Sequence, residues 1–344
     1  MIRIDGSYGE GGGQILRYAA CFAAAASEKV EVYNIRAKRP NPGLRPQHLA
    51  VLNIMQRIFG GQVINAKVGS TRVIFEFGSS IADKVAYNVG TAGSVTLILQ
   101  SIVPAIAARK ARLDIRLIGG TDVKWSPTTD YMNYAYRTLA QKFGVDLSLK
   151  VVRRGYYPKG GGIIDVHIET HGLRSLSIVK KGKVDKVVIR SVVSNLPRHI
   201  STRQINKAKE IISEAGLEDV IEVEEELPGP SGAIGPGVSL LVVGRNSEYK
   251  IFSGGDSIGE KGKPAEEVGR EAADRFLEWY NSGAAIDIFQ SDMIIPYIAF
   301  AGGGEYTAPH YTAHMESALY VMKEVLGLNY EVTKLNDIYK IKIF

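Results

Sequence analysis

The residues best suited to chemistry lie near the C-terminus, in the run Thr307-Ala308-Pro309-His310-Tyr311-Thr312-Ala313-His314. Thr312 is a good N-cap for the apolar helical pattern that follows, which places His314 in the first turn of that helix. The free backbone N–H groups of a first turn disfavour imidazolium and can hold a phosphate. A neutral imidazole beside a bound phosphate is a nucleophile toward phosphorus. The alternative is a histidine that only caps the helix or packs.

A glycine turn near the N-terminus could hold a phosphate too. It reads Gly9-Glu10-Gly11-Gly12-Gly13 and opens a helix, where backbone N–H groups can cradle an anion. It matches neither of the common nucleotide-binding glycine motifs. Glu10 inside the turn is a bare carboxylate that either binds a metal ion or is simply solvated.

The densest basic cluster follows this turn. Arg17 lies one turn into the first helix, and Arg36, Arg39 and Arg45 belong to a loop stiffened by prolines. Guanidinium groups bind phosphate through two parallel hydrogen bonds, although a solvated surface loop is the alternative interpretation.

Two other stretches carry weaker signals. Gln47 and His48 open the second helix of the chain, as Ala313 and His314 open the last one. Residues 153–162 mix basic and aromatic side chains, which is typical of single-stranded nucleic-acid surfaces and also of a charged hairpin. The metal-binding motifs C-x-x-C and H-E-x-x-H are both absent.

The elements that must position these residues recur three times along the chain. Hydrophobic periodicity predicts the order strand, helix, strand, helix, strand, strand, and each second helix ends at a glycine just before a hairpin. Those ends are Phe59-Gly60-Gly61, Phe143-Gly144 and Leu326-Gly327. The fold class is therefore mixed α/β. The predicted elements of the second repeat include a helix at 95–108 and a strand at 145–153. The third repeat has its first strand near 173–179 and its first helix at about 291–301, and an extra α+β segment, with a strand at 249–253 among its elements, interrupts it between the two.

Charge separates the same two parts. Residues 184–280 carry 12 Lys and Arg against 17 Asp and Glu, whereas the rest of the chain carries 30 against 19. We therefore predict a three-repeat catalytic domain made of 1–183 and 281–344, with an inserted α+β domain at 184–280. The basic body suits a polyanionic ligand such as a nucleic acid or a nucleotide.

Composition predicts a cytoplasmic protein that does not enter membranes. The sequence has one cysteine, Cys21, which cannot form an internal disulfide. The first residues lack the pattern of a signal peptide. The longest apolar stretch, 95–108, is too short to span a bilayer.

Taken together, seven stretches in order make the chain resemble the RNA 3′-terminal phosphate cyclase family over nearly its whole length. They are Asp5-Gly6 with the run from Gly9 to Arg17, Ile35-Arg36 with Arg39 and Pro42-Gly43-Leu44, Gln47-His48-Leu49, Gly93-Ser94 with Leu99-Gln100, Gly119-Gly120-Thr121-Asp122, Gly155 to Gly162, and Thr312-Ala313-His314. The resemblance implies three repeats of two helices on a four-stranded sheet, with a small inserted domain.

The resemblance also implies a reaction: ATP-dependent conversion of an RNA 3′-phosphate to a 2′,3′-cyclic phosphate. His314 matches the nucleophile that carries AMP on a ring nitrogen. Glu10 matches a ligand of a divalent metal ion, Mg²⁺ or Mn²⁺. The residues that match phosphate and RNA-end contacts are Arg17, Arg36, Arg39, Gln47 and His48. The residues that match the ATP site are Gln100, Phe289, Gln290, Ser291, Asp292 and Met293, where the family pattern would have Tyr at 289 and Gln at 293.

Two alternatives compete with this enzyme. One is a cyclase-like RNA-binding protein that acts in ribosomal RNA maturation without catalysis, but such proteins lack the nucleophile, and His314 is present here. The other is a transferase of the enolpyruvyl-transfer type, which would show six repeats rather than three with an insert. The expected partner is RNA with a 3′-terminal phosphate, and a homo-oligomer stays an open alternative.

Overall fold

A computed structural model describes residues 1–344 and confirms the mixed α/β fold class. The first repeat contains β1 (Ile2–Asp5), α1 (Gln14–Ala26), β2 (Lys29–Tyr33), α2 (Pro46–Phe59), β3 (Gln62–Ile64) and β4 (Val73–Glu76). The second contains β5 (Lys84–Asn88), α3 (Val95–Ala108), β6 (Arg112–Gly119), a helix with three parts, β7 (Val145–Arg153) and β8 (Gly162–Thr170). The three-part helix consists of α4 (Thr129–Tyr131), the π-helical turn Met132–Tyr136 and α5 (Arg137–Lys142).

The third repeat is split by the insert. It begins with β9 (Ser177–Ile178) and resumes with α8 (Gln290–Met293), α9 (Ile295–Phe300), β14 (Gly304–Ala308), α10 (Ala313–Leu326), β15 (Tyr330–Leu335) and β16 (Ile338–Ile343). Between its two parts lie β10 (Val184–Ser194), α6 (His199–Glu214), β11 (Ile221–Glu226), β12 (Gly237–Asn246), β13 (Phe252–Ile258) and α7 (Ala265–Ser282).

The strand order shows which sheets are related. The three repeat sheets run β1-β2-β4-β3, β5-β6-β8-β7 and β9-β14-β16-β15, so each places its first, second, fourth and third strands side by side. In each of them the first two strands are parallel and the other pairs antiparallel. The remaining sheet runs β11-β10-β12-β13, with its first strand inside the sheet, so it is not a fourth copy of the repeat.

Burial shows how the insert sits on the repeats. One hydrophobic cluster of 72 buried residues runs through all three repeats, and a second cluster of 13 lies between the insert sheet and its helices α6 and α7. Alternate residues of the insert strands point to opposite clusters: Val188 and Val243 to the large one, Val187 and Val242 to the small one. This sheet is therefore covered on both faces, which accounts for its nearly continuous apolar sequence. An independent domain with limits at 184 and 280 stays a prediction.

Three predicted elements differ from the structure for local reasons. The strand expected from Leu173 to Val179 shrinks to β9, because Arg174 and Ser175 bond instead to Phe143 and Gly303 outside the sheet. The helix expected at 291–301 divides into α8 and α9, where Pro296 supplies no N–H in the first turn of α9. The strand expected at 249–253 is shifted to β13, because Asn246 folds the preceding residues into a turn.

Candidate active site

His314 lies where its sequence predicts, in the first turn of α10. The hydroxyl of Thr312 accepts a hydrogen bond of 3.1 Å from the backbone N–H of Met315, so Thr312 is the N-cap. The His314 side chain is 53% exposed, and its Nδ1 lies 3.8 Å from Oδ2 of Asp292. Asp292 is buried and accepts a 2.6 Å hydrogen bond from the Tyr18 hydroxyl. The Nδ1 edge of the imidazole therefore faces a carboxylate that Tyr18 holds in place, and Nε2 on the other side of the ring is available to a ligand.

The glycine turn lies against the start of the same helix. A Cβ atom on Gly9 would lie 3.8 Å from Oε2 of Glu316, in the first turn of α10. The Tyr8 hydroxyl is 3.3 Å from the other oxygen of Glu316, and Gln14 donates a 3.5 Å hydrogen bond to Ser317. The first residues of α1 and of α10 therefore lie against each other, although Gln14 and Ser317 are 303 positions apart in the sequence.

The basic loop between β2 and α2 folds back over the glycine turn. Lys38 donates through Nζ to the carbonyl oxygen of Gly9 at 3.1 Å, and Arg39 pairs with Glu10 at 3.2 Å. Arg36 has a φ of 53° and donates to the carbonyl of Gly43 at 3.4 Å, so part of its guanidinium holds the loop itself. Burial and then the charges of the neighbouring arginines lower the pKa of Arg36, and no carboxylate offsets them.

His48 is the inner wall of this basic region. Its Nδ1 accepts a 3.1 Å hydrogen bond from the backbone N–H of Arg45, which places the ring proton on Nε2. Burial, and then the charges of Arg17, Arg36 and Arg45, lower the pKa of His48 to about 3. The ring is therefore neutral at pH 7 and offers a single N–H donor among three guanidinium groups.

Gly13 makes room for that ring. A Cβ atom on Gly13 would lie 2.0 Å from Nε2 of His48, although the backbone of Gly13 has ordinary helical angles. Arg17, one turn further along α1, is buried, and burial lowers its pKa while the charges of Tyr18 and Asp292 act in the opposite direction. Helix α1 therefore connects the two regions. Its Tyr18 contacts Asp292 beside His314, and its Arg17 lies near His48.

Similarity to known proteins shows the family of this chain. The sequence model of the family described as RNA 3′-terminal phosphate cyclase matches residues 8–332. This chain belongs to that family. A protein of the same name from Pyrococcus abyssi is 43% identical over 328 residues, which cover 95% of this chain and 94% of the relative. Similar proteins with that name occur in Staphylothermus marinus (44% over 306 residues, 88% and 85% covered) and Pyrobaculum neutrophilum (37% over 344 residues, 99% and 98% covered).

In this member of the cyclase family, the segment matched to the ATP site divides into two groups. Gln290 is fully buried: its amide oxygen accepts a 2.6 Å hydrogen bond from Ser253, and its amide nitrogen donates to two backbone carbonyls. Ser291 is also fully buried and donates to the carbonyl of Ile288 at 2.6 Å. These two polar side chains use their groups within the protein, so they support the segment rather than face a ligand.

Phe289 is the more accessible of the other residues in the predicted ATP site. It is half-buried, with its ring 5.8 Å from that of Tyr131 in an edge-to-face arrangement. Met293 and Gln100 are buried, and Gln100 lies on α3, which packs against α1. Gln47 is half-buried and lines a different cavity, between the second repeat and the insert.

The carboxylates of this site could hold a metal ion only if a bound ligand supplied some of its coordinating atoms. No cluster of three or more His, Cys, Asp or Glu side chains could hold a metal by itself in this cyclase-family chain. Glu10 is a single, half-exposed carboxylate paired with Arg39. Mg²⁺ commonly binds through one or two carboxylates plus substrate phosphates and water, so Glu10 fits a metal ion that arrives with a nucleotide.

Sequence reasoning did not single out Tyr18 or Asp292 as partners of the histidine. Tyr18 lies in an alanine-rich helical pattern and looks like a core residue, and Asp292 had been matched to the ATP site only by resemblance. Their contact bridges 274 positions, a distance that no local pattern reports.

None of the helices is both long enough and apolar enough to cross a bilayer.

Proposed function

We propose that this chain converts an RNA 3′-phosphate to a 2′,3′-cyclic phosphate at the expense of ATP, through AMP carried on His314. The observation that supports this most directly is the placement of His314. Its ring is half exposed, it faces Asp292 at 3.8 Å through Nδ1, and it stands beside a glycine turn that two cations cover. A helix cap alone would need none of these neighbours.

In the first step Nε2 of His314 attacks the α-phosphorus of ATP. A nitrogen–phosphorus bond forms, the bond to the bridging oxygen breaks, and pyrophosphate leaves. The imidazole gains positive charge as the bond forms, and the Asp292 carboxylate offsets that charge. Lys38 and Arg39 lie over the glycine turn, where they would neutralise the phosphates that leave.

In the second step an oxygen of the RNA 3′-phosphate attacks the phosphorus on His314. The nitrogen–phosphorus bond breaks, and the AMP now forms an anhydride with the RNA end. In the third step the 2′-hydroxyl attacks the terminal phosphorus, loses its proton, and expels AMP. The reacting hydroxyl lies on the same ribose as the phosphate, so its effective concentration is high.

We assign the RNA end to the basic region around His48. Arg17, Arg36 and Arg45 surround the neutral ring, whose Nε2–H can donate to a phosphate oxygen. Gln47 precedes His48 and opens toward the neighbouring cavity. Positive charge and hydrogen-bond donors fixed around one point suit a terminal phosphate, which carries more negative charge than an internal one.

Phe289, Met293 and Gln100 remain our candidates for the adenosine of ATP, with Gln290 and Ser291 holding the segment in place. Glu10 would bind a divalent metal ion, Mg²⁺ or Mn²⁺, together with ATP phosphates. When bound, such an ion neutralises phosphate charge and orients the oxygens for displacement. Because Glu10 pairs with Arg39, metal binding would release that guanidinium for a phosphate.

The test uses ATP labelled at the α-phosphate, with Mg²⁺ or Mn²⁺ and no RNA. Acid-labile label should stay on the wild-type protein and be absent from His314→Ala. A matched control is available in His310→Ala, because that side chain is 55% exposed, close to the 53% of His314, and lies in the same segment. We expect His310→Ala to keep the label. A wild-type protein that binds RNA ends but never takes up label would instead favour a non-catalytic, cyclase-like RNA-binding protein.

A further inference from the structure

A large cavity lies between the second repeat and the insert. It has a volume of about 1110 Å³ and is lined mainly by apolar and aromatic side chains, among them Val123, Trp125, Tyr157, Ile200 and Val268. His314 and the glycine turn are not part of its wall. The reaction proposed above therefore leaves this cleft unused.

Trp125 lies on the rim of the cleft, with an exposed side chain and an unusual backbone conformation. Its side chain is 92% exposed, and its backbone φ is 60°, a conformation that bulky residues rarely adopt. The turn that holds it is fixed from both sides, because Ser126 bonds to the carbonyl of Val123 and Thr128 donates to the buried Asp256. Strained backbone of this kind persists where the surroundings impose it, and it is concentrated at functional sites.

A second aromatic side chain is presented on the same cleft. Tyr157 is 80% exposed, whereas its neighbour Tyr156 is buried and bonded through its hydroxyl to Ser194 at 2.7 Å. The Tyr156 ring packs directly on Gly237 of the insert, where any Cβ would lie 2.2 Å from ring carbons. Tyr156 thus anchors the turn between β7 and β8 and leaves Tyr157 pointing outward.

The cleft borders the site assigned to the RNA end. Gln47 and Ala92 both line it. A Cβ atom on Gly93 would lie 3.8 Å from Cβ of Gln47, so the turn before α3 touches the start of α2. The residue after Gln47 is His48, which packs on Gly13 and stands among the arginines. An RNA strand whose 3′-phosphate is bound at His48 would therefore pass Gln47 and enter this cleft.

The charges of the cleft favour bases over phosphates. Of its four lysine and arginine side chains, three already have carboxylate partners, and only Lys261 has none: Lys124 pairs with Glu260, Arg203 with Glu266, and Lys263 with Glu271. Apolar walls and exposed rings remain, and these suit the faces of unpaired bases, which stack on aromatic side chains regardless of sequence.

We propose that this cleft binds the nucleotides that precede the RNA 3′-phosphate, with bases stacked on Trp125 and Tyr157. The proposal rests on the function proposed above, because that function places the terminal phosphate at His48. It adds that substrate affinity depends on the length of the RNA, and that most of the gain comes from bases rather than from phosphate charge.

Fluorescence tests the proposal without using activity. The chain has two tryptophans, Trp125 at 92% exposure and Trp279 at 1%, so a ligand stacked in the cleft should quench the emission of Trp125 alone. We would titrate the protein, without ATP, with a nucleoside 3′-phosphate and with 3′-phosphorylated oligoribonucleotides of about four and about eight nucleotides. The oligomers should quench and should bind at least about 10-fold more tightly than the mononucleotide.

Variants locate the effect, with oligomer binding followed by anisotropy of a labelled oligomer and mononucleotide binding followed by its competition with that oligomer. Trp125→Ala and Tyr157→Ala should each weaken oligomer binding by about 10-fold and leave mononucleotide binding unchanged, whereas Trp125→Tyr should retain most of the affinity. Phe344→Ala is the matched control, because Phe344 is exposed outside the cleft with Lys342 5.9 Å from its ring, as Lys124 is 5.8 Å from Trp125. It should bind both ligands as the wild type does.

Failure of this proposal and failure of the function are distinguishable. Equal binding of mononucleotide and oligomer by the wild type, or full oligomer binding by Trp125→Ala, overturns the cleft assignment even if His314 takes up AMP. A length effect carried by Trp125 in a protein that takes up no label supports the cleft and removes the enzymatic step. Quenching by an apolar peptide but not by RNA would make the cleft a protein-docking site and overturn the proposal.

Discussion

Replacing Asp292 by asparagine tests how this carboxylate would assist His314 as the proposed nucleophile. The change keeps an oxygen that can accept the 2.6 Å hydrogen bond from Tyr18, so the buried contact survives. It removes the negative charge that lies 3.8 Å from Nδ1 of His314. Any loss of rate therefore reports the charge rather than the packing.

The size of the loss follows from the geometry. Two unit charges about 4 Å apart interact by about 4 kcal/mol at an effective dielectric constant near 20. The His314 side chain is half exposed, so solvent screening reduces this roughly by half, to about 2 kcal/mol. Because the imidazole gains positive charge only as the bond to phosphorus forms, Asp292→Asn should slow adenylation by about 30-fold.

The assay is single-turnover labelling of the protein by ATP labelled at the α-phosphate, with no RNA present. Tyr18→Phe is the companion variant, because it keeps the carboxylate and removes only its hydrogen bond. It should slow labelling less than Asp292→Asn does. Labelling of Asp292→Asn at close to the wild-type rate would refute the idea that this carboxylate offsets charge on His314.

Three further predictions concern the surroundings of the site. Gly13→Ala should displace the His48 ring and weaken binding of a 3′-phosphate, measured by titration, whereas Gly229→Ala, at a glycine with no neighbour within 4 Å and no positive φ, should have no effect. Arg154→Met should lower the free energy of unfolding in urea by about 3–5 kcal/mol, since it leaves buried Asp122 without its cation and leaves Asp130 with Arg190 alone. Arg116→Met, which breaks an exposed pair with Asp165, should leave the free energy of unfolding nearly unchanged. Because the pKa of His48 is lowered to about 3, the unfolded chain alone binds this proton between about pH 3 and 6.5, so stability should fall by about 1.4 kcal/mol per unit as the pH drops through that range. Urea unfolding of His48→Gln should lack that contribution; an unchanged slope would show that His48 is protonated in the folded protein.

The sequence predicted what depends on local patterns. The helix at 95–108 and the strand at 145–153 have the predicted bounds, because hydrophobic periodicity is read within one element. Thr312 caps α10 as expected, since a cap involves only the first turn of its helix. The repeat was also visible, because each copy buries its sheet in the same way and so repeats the same pattern.

Tertiary structure decided which of these pieces meet. Asp292 stands at His314 because α8 and α10 pack together, and Tyr18 fixes that carboxylate from a helix at the other end of the chain. Gln290, matched to the ATP site by resemblance, turned out to bind backbone groups of two other elements. Such contacts join residues that are far apart in sequence. Each contact depends on how the helices and sheets pack together, and the residues adjacent in sequence do not determine that packing. The order of residue types along the chain therefore indicated the family and singled out His314. Packing alone gave that histidine its carboxylate neighbour, its basic surroundings and the cleft beside them.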